Sequence, residues 1–338
     1  METEISYYNV TEEPVFFTTT DYAILGTGFT IISVAGTLGN LLVIIVVAVS
    51  KELQNSTNVF IVNLATADFL FSILMPLHIY SIFGEYQPFF DTMCFICLGG
   101  KHSTFGVSVW TLASIALNRY VLILSPMKYY KIIFQKKVVA VWIILLWLYP
   151  ISMAIIPPVV FGIGQHTFDH TLHLCRSPTT LETTETYDTV QIYAVFSLPL
   201  IIIFICYIGI YIRVFKHNRM MKKHSLRNHS GSVTNRTCLH LMLSFSSSSN
   251  DLKSSTRRSK DEAYIRQIKI TKNMFIIFCA YVICYSPHLL CDQIYGECPL
   301  DSYGRLIISF NSVVNPIIYG INHPQFRKAY IKLFKCKY

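Results

Sequence analysis

Apolar residues run along this chain in long blocks, at about 22–48, 58–83, 92–124, 138–161, 188–215, 266–291 and 303–321, with polar residues gathered in the segments between them. A helix needs about 20 residues, at 1.5 Å each, to cross the roughly 30 Å of a bilayer's hydrocarbon, and the blocks are that long. No series of alternating ten-residue strands recurs, so a membrane barrel is excluded. The pattern predicts an all-α membrane protein, a seven-transmembrane helix bundle spanning 22–321. The seventh block is the weakest, interrupted by Arg305, Asn311 and Asn315. In residues 322–338, Phe326, Tyr330, Leu333 and Phe334 recur at helical spacing among Arg327, Lys328, Lys332 and Lys335, which predicts a short amphipathic C-terminal helix on the membrane surface. Residues 1–21 read as a polar, acidic N-terminal segment. Residues 216–265, rich in Ser, Asn and basic side chains, read as a disordered loop.

Charge adds an orientation. Of the 28 Lys and Arg, 25 fall in alternate connecting segments or the tail, while 14 of the 19 Asp and Glu fall in the other set. Basic residues stay on the cytosolic side, so the N-terminus is expected outside and the tail in the cytosol. The net charge of +9 is therefore a topology signal, and no nucleic-acid partner is read from it. With 14% charged residues and a mean hydropathy of +0.44, the chain is not a water-soluble globular protein. The first twenty-one residues show no basic stretch ahead of a short apolar core, so the first span is expected to act as the targeting signal. Asn9-Val10-Thr11 is a glycosylation sequon on the expected outer side, whereas those at Asn55, Asn228 and Asn235 face the cytosol and should stay unused. Cys336, in the amphipathic segment, is a candidate for palmitoylation.

Polar residues inside spans carry the chemistry. Asp68 lies in L-A-T-A-D-F-L of the second span. A carboxylate at that depth costs on the order of 2.5–3.5 kcal/mol, so it should face the bundle and find a partner or an ion. In the third span Cys94 precedes Arg119 by about 37 Å of helix, and Lys101 precedes Arg119 by about five turns on the same face. That helix can connect a pocket at one surface to a site at the other. Pro199, Pro287 and Pro316 interrupt later spans beside polar or aromatic residues, a sign of helices built to bend. His78, His102 and His288 stand on separate spans with no His-x-x-x-His spacing, so no metalloenzyme site is read. A transporter, the alternative among polytopic proteins, would show an internal repeat, and none is found.

Asn40, the run ending at Asp68, Cys94 with Cys175, Asn118-Arg119-Tyr120, Trp147, Pro199 with Tyr207, Cys284-x-x-Pro287 and Asn315-Pro316-x-x-Tyr319 with Phe326 together resemble the rhodopsin-like G-protein-coupled receptors. The resemblance touches all seven spans in order. It implies a Cys94–Cys175 disulfide and a buried sodium ion among Asp68, Ser108, Asn311 and Asn315. It also implies an activation switch that involves Asn118, Arg119, Tyr120, Tyr207, Tyr285, Pro287, Asn315, Pro316 and Tyr319. The implied partners are a heterotrimeric G protein, arrestin and receptor kinases, at the plasma membrane, and no enzymatic activity or further cofactor is expected. The chain departs from the family at three places. Asn118 stands where the triplet usually has an acid, Gln267 where a Glu often pairs with the arginine, and Tyr285 where a Trp is usual. Without either carboxylate, Arg119 should lose its restraining ion pairs, which predicts raised basal activity.

Lys101 occupies the position at which aminergic receptors carry an Asp, so amines are set aside and an anionic, indole-like or peptide ligand is expected. Phe105, Tyr285, His288, Asp292, Arg305 and Ser309 share the expected pocket face. A retinal Schiff base needs a lysine in the seventh span, where this chain has none, with Ser309 in the matching region. Asn-Arg-Tyr, F-D-H-T-L-H-L-C and I-I-Y-G are similar to melatonin receptors and their relatives, although Asn315-Pro316 and Tyr285 depart from that branch.

Overall fold

The computed structural model describes residues 18–83, 89–164, 166–169, 174–176, 182–231, 264–265, 267–287 and 301–335. Among them the helices are α1 (Thr19–Val49), α2 (Ser56–Phe83), α3 (Phe90–Leu124), α4 (Met127–Ile133), α5 (Lys136–Ile156), α6 (Glu182–Gln191), α7 (Leu198–Gly231), α8 (Gln267–Pro287), α9 (Asp301–Ser309), α10 (Asn311–Asn322) and α11 (Pro324–Phe334). Strands β1 (Thr167–Asp169) and β2 (Leu174–Arg176) pair antiparallel, with Phe168 opposite Cys175. Among the described residues six helices are long and apolar enough to cross a membrane, the fifth running from the end of α6 through α7 as Thr189–Met220. The seventh pass is made by α9 and α10 together. It is broken at Phe310, whose N–H is shared between the carbonyls of Leu306 at 3.2 Å and Ile307 at 3.1 Å. The 3₁₀-type tightening at Phe310 and the missing N–H at Pro316 bend this pass, while its polar Arg305, Asn311 and Asn315 are what weaken its hydropathy.

Local chemistry sets several ends and bends. Thr18 and Asp21 cap α1 reciprocally, each side chain accepting the other's backbone N–H. One-turn π segments occur at Pro157–Phe161 and Ile192–Ser197, the first holding Pro157-Pro158 and the second just ahead of Pro199. A proline leaves an earlier carbonyl without its donor, and a wider turn accommodates that loss. In the second segment the Ser197 hydroxyl donates to the carbonyl of Ile192.

The α3 helix is the axis, buried over most of its length against α2, α5 and α7. Gly106 makes this possible at mid-span, because a Cβ there would lie 2.7 Å from Val195 and 2.8 Å from Pro150. The outer face of the bundle is the inverse of a soluble protein. Leu38, Leu145, Ile201 and Phe204 are each 55% or more exposed, while Asn63, Asp68, Asn311 and Asn315 are buried. Lipid is the solvent that such a surface requires.

Two expectations need correction. The helix α7 continues to Gly231, so residues 216–231 are helical where the composition predicted a disordered loop, and 232–263 lie outside the described residues. The seventh span is two helices rather than one. A short helix, α4, occupies the connection between α3 and α5. In α11 the buried contacts are Phe326 and Ala329, and Phe334 is exposed.

Candidate functional site

At one end of the bundle the β1–β2 hairpin is fastened to the start of α3. Cys94 and Cys175 are disulfide-bonded with Cα atoms 5.2 Å apart. Phe90, Met93, Cys94, Leu98, Phe168 and Cys175 pack as one buried cluster, and the backbone N–H of Phe168 donates to Asp91 Oδ1 at 3.1 Å. Two turns along α3 from Cys94 comes Lys101, which is buried. One turn further, Phe105 lies at the centre of an aromatic floor. Its ring centroid is 5.2 Å from Phe196, 5.7 Å from Tyr281 and 6.0 Å from Tyr285. Tyr285 also stacks on Tyr281 at 5.8 Å. The structure thus brings Phe105 and Tyr285 together and adds Phe196 and Tyr281, which the sequence reading missed. Arg305 and Ser309 sit one turn apart on α9, the Ser309 hydroxyl donating to the carbonyl of Arg305. His288, Asp292, Cys291 and Cys298 lie outside the described residues, as do Asn9 and Cys336.

Below the floor is a polar cluster. Asp68 Oδ1 accepts from Ser108 Oγ and Oδ2 accepts from Asn315 Nδ2, each at 2.7 Å. Ser72 donates to the carbonyl of Asp68 and approaches Ser312, while Asn40 Nδ2 donates to the carbonyls of Gly36 and Ser312. The Oδ1 atoms of Asn311 and Asn315 are buried without a hydrogen-bond partner. One carboxylate and two orphaned amide oxygens make a donor set suited to a small hard cation, which takes oxygen ligands. Those orphaned atoms are the observation that fits a sodium ion here. On the α5 side, Asn63 accepts from Trp147 Nε1 and donates to Thr111, tying α2, α3 and α5 together.

At the far end Asn118 and Arg119 are both buried. Asn118 Oδ1 accepts from Thr57 Oγ1 at 2.9 Å, and its amide donates to the Tyr130 hydroxyl at 3.3 Å. Arg119 Nη1 donates to Gln267 Oε1 at 3.0 Å, while its Nε has no partner. The sequence reading had Arg119 lose its restraint. The structure keeps a tie from α3 to α8, made by a neutral amide in place of a carboxylate. Tyr120 packs on Gly209 of α7. Tyr207 lies 5.0 Å from Phe275, and Tyr319 stacks on Phe326 at 5.3 Å. Pro316 packs close to Gly39, and Pro287 ends α8. Thr57 and Tyr130 were missed, because nothing in the spacing of a polar residue in α2 and a tyrosine in α4 points to Asn118.

At this same end His323 joins α10 to α11 with its imidazole buried against Phe326, 5.0 Å between centroids. Burial, with the Arg119 charge as the lesser cause, lowers its pKa from 6.5 to about 4.

Residues 39–319 match the family described as 7 transmembrane receptor (rhodopsin family). A Gq-coupled rhodopsin of Mizuhopecten yessoensis is 29% identical over 325 residues, covering 90% of the chain and 58% of that protein. Melatonin receptor type 1B-B of Danio rerio is 27% identical over 324 residues, covering 92% of the chain and 81% of the receptor. The chain spans 50–64% of the length of several of the curated relatives it matches. The crystal structure of squid rhodopsin superposes with a TM-score of 0.74 at 24% identity, over 95% of this chain and 87% of that one, a likeness of fold.

Proposed function

The chain belongs to the rhodopsin-like family of seven-transmembrane receptors, and from that premise we propose that it is a G-protein-coupled receptor of the plasma membrane with its N-terminus outside. Its ligand enters beneath the β1–β2 hairpin and rests on the floor of Phe105, Tyr281 and Tyr285. Lys101 selects for a non-aminergic ligand, small and anionic, indole-like or peptidic, because a buried cation repels an ammonium and favours a carboxylate or phosphate. Activation moves α8 away from α3 and opens a cleft for a heterotrimeric G protein, after which receptor kinases and arrestin act on the exposed basic end. A sodium ion among Asp68, Ser108, Asn311 and Asn315 supplies positive charge to the buried carboxylate when bound. The retinal pigments among the relatives do not extend to light reception here, since α9 and α10 contain no lysine.

The observation that carries this reading is the Arg119–Gln267 hydrogen bond, in which a neutral amide takes the place of a carboxylate in holding one end of α3 to α8. A latch of that strength implies basal signalling. The test is to express the chain and record calcium and cAMP without ligand, beside Arg119→Ala. Because one relative is a Gq-coupled rhodopsin, calcium is the first readout. A surface-expressed wild type with a basal signal abolished by the substitution supports the proposal. A signal unchanged by it counts against receptor function through this end. Anionic and indole compounds are then screened, with Lys101→Ala as the pocket control.

A further inference from the structure

We infer that His102 and His166 form a binding site for a divalent transition ion of the Zn2+ type, which clamps α3 to the segment leading from α5 into the β1–β2 hairpin. The two imidazole centroids are 5.5 Å apart, with ring planes inclined by 56°. A zinc ion about 2.0–2.1 Å from a ring nitrogen lies roughly 3.2 Å from that ring's centre, so two imidazoles on one tetrahedral zinc have centres about 5.2 Å apart. The observed separation meets that requirement within the motion of a side chain. Parallel stacking would bring the ring planes together, and these two are well inclined.

Both imidazoles are held by elements fixed for other reasons. His102 stands on the buried axis helix α3, where the Cα of Lys101 before it is rotated about 100° around the helix. His166 is buried and immediately precedes β1, which the Asp91 hydrogen bond and the Cys94–Cys175 disulfide fasten to α3. A metal site gains affinity when its ligands are positioned before the ion arrives. Among the described residues no group of three or more His, Cys, Asp and Glu forms a metal site. His102 and His166 would fill two of the four positions on a tetrahedral ion. The nitrogen ligands favour Zn2+ or Cu2+ over Mg2+ or Ca2+.

The 338-residue chain, purified in detergent and stripped with a chelator, is titrated with ZnCl2 while its unfolding temperature is followed. A rise of about 5 °C is expected at 100 times the dissociation constant, and none with MgCl2. His102→Phe and His166→Phe keep an aromatic ring in place, and each should abolish the rise, whereas His170→Ala with His173→Ala should retain it. No zinc-dependent rise in the wild type, or a rise that survives either Phe variant, overturns the site. Loss of the rise in the His170/His173 variant also overturns it, by moving the ligands elsewhere. If the Phe variants do not fold, the wild type is treated with Cu2+ and ascorbate and its oxidised histidines mapped by mass spectrometry. Oxidation concentrated at His102 and His166 supports the site, and oxidation only at other histidines refutes it.

Discussion

Gln267→Glu should quieten the receptor. In the wild type the Arg119 guanidinium is buried and donates one hydrogen bond, 3.0 Å long, to a neutral amide oxygen, with its Nε left unsatisfied. A hydrogen bond to a charged group contributes about 1.5–3 kcal/mol. A carboxylate in the same place adds an ion pair, worth about 4 kcal/mol at 4 Å for an effective dielectric near 20, and a second oxygen for the Nε. Desolvating the carboxylate takes back much of that gain. A net stabilisation of the closed α3–α8 contact by about 1–2 kcal/mol remains, which corresponds to a roughly 5- to 30-fold fall in the open population. The assay is ligand-free calcium and cAMP accumulation, normalised to surface expression, for wild type, Gln267→Glu and Gln267→Ala. The Glu variant should fall toward the empty-membrane level, and the Ala variant, which removes the latch, should rise. Equal signals from all three would show that this hydrogen bond does not restrain the inner end.

Other measurements follow from the same geometry. Replacing sodium with a bulky organic cation should lower the unfolding temperature of the purified wild type, and Asp68→Asn should remove the dependence by taking the only carboxylate from the cluster; equal sodium dependence in both would place the ion elsewhere. Gly106→Ala should already keep α3 from seating against Pro150 and Val195, read as a fall in surface expression, and Gly106→Leu should lower it further; wild-type surface levels in both would refute the close approach. His323 has a folded pKa of about 4 against 6.5 in the unfolded chain, so the folded form binds fewer protons below pH 6.5. Stability is full above that pH and declines as pH falls toward 4, by about 3 kcal/mol in all for a 2.5-unit difference. His166, lowered likewise to about 4, contributes a parallel slope. In chemical unfolding between pH 7 and 4, His323→Gln should therefore lose about half of this acid sensitivity; an unchanged slope would refute the assignment.

The seven passes were legible because a bilayer allows little else: an unpaired backbone group in hydrocarbon is so costly that apolar length alone reveals a helix. Where the chain leaves the lipid that constraint ends. Residues 216–231 are polar enough to read as loop, yet they continue the hydrogen-bond ladder of α7, and hydropathy carries no information about that continuation. The break at Phe310 and the π turn before Pro199 depend on which carbonyl loses its donor, a matter of register rather than composition. Asp68 announced itself as an expensive charge. Its partners Ser108 and Asn315 lie 40 and 247 positions away, and it was the family resemblance, not any spacing rule, that placed them near it. Thr57, Tyr130, Phe196 and Tyr281 had neither a cost nor a motif to mark them, and only the packed structure brings them to Asn118 and Phe105.

The length of α7 has a mechanical consequence. From Leu198 to Gly231 the helix is about 50 Å long at 1.5 Å per residue, well beyond the thickness of the hydrocarbon. Its base is the π turn at Ile192–Ser197, where the backbone is least tightly laced. A straight rod hinged there is a lever: a tilt of about 10° at the base displaces a tip 50 Å away by roughly 9 Å, from the same 1.5 Å rise. A displacement too small to disturb the aromatic contacts of Phe196 near the fulcrum becomes, at the far tip, a shift comparable to the width of a helix.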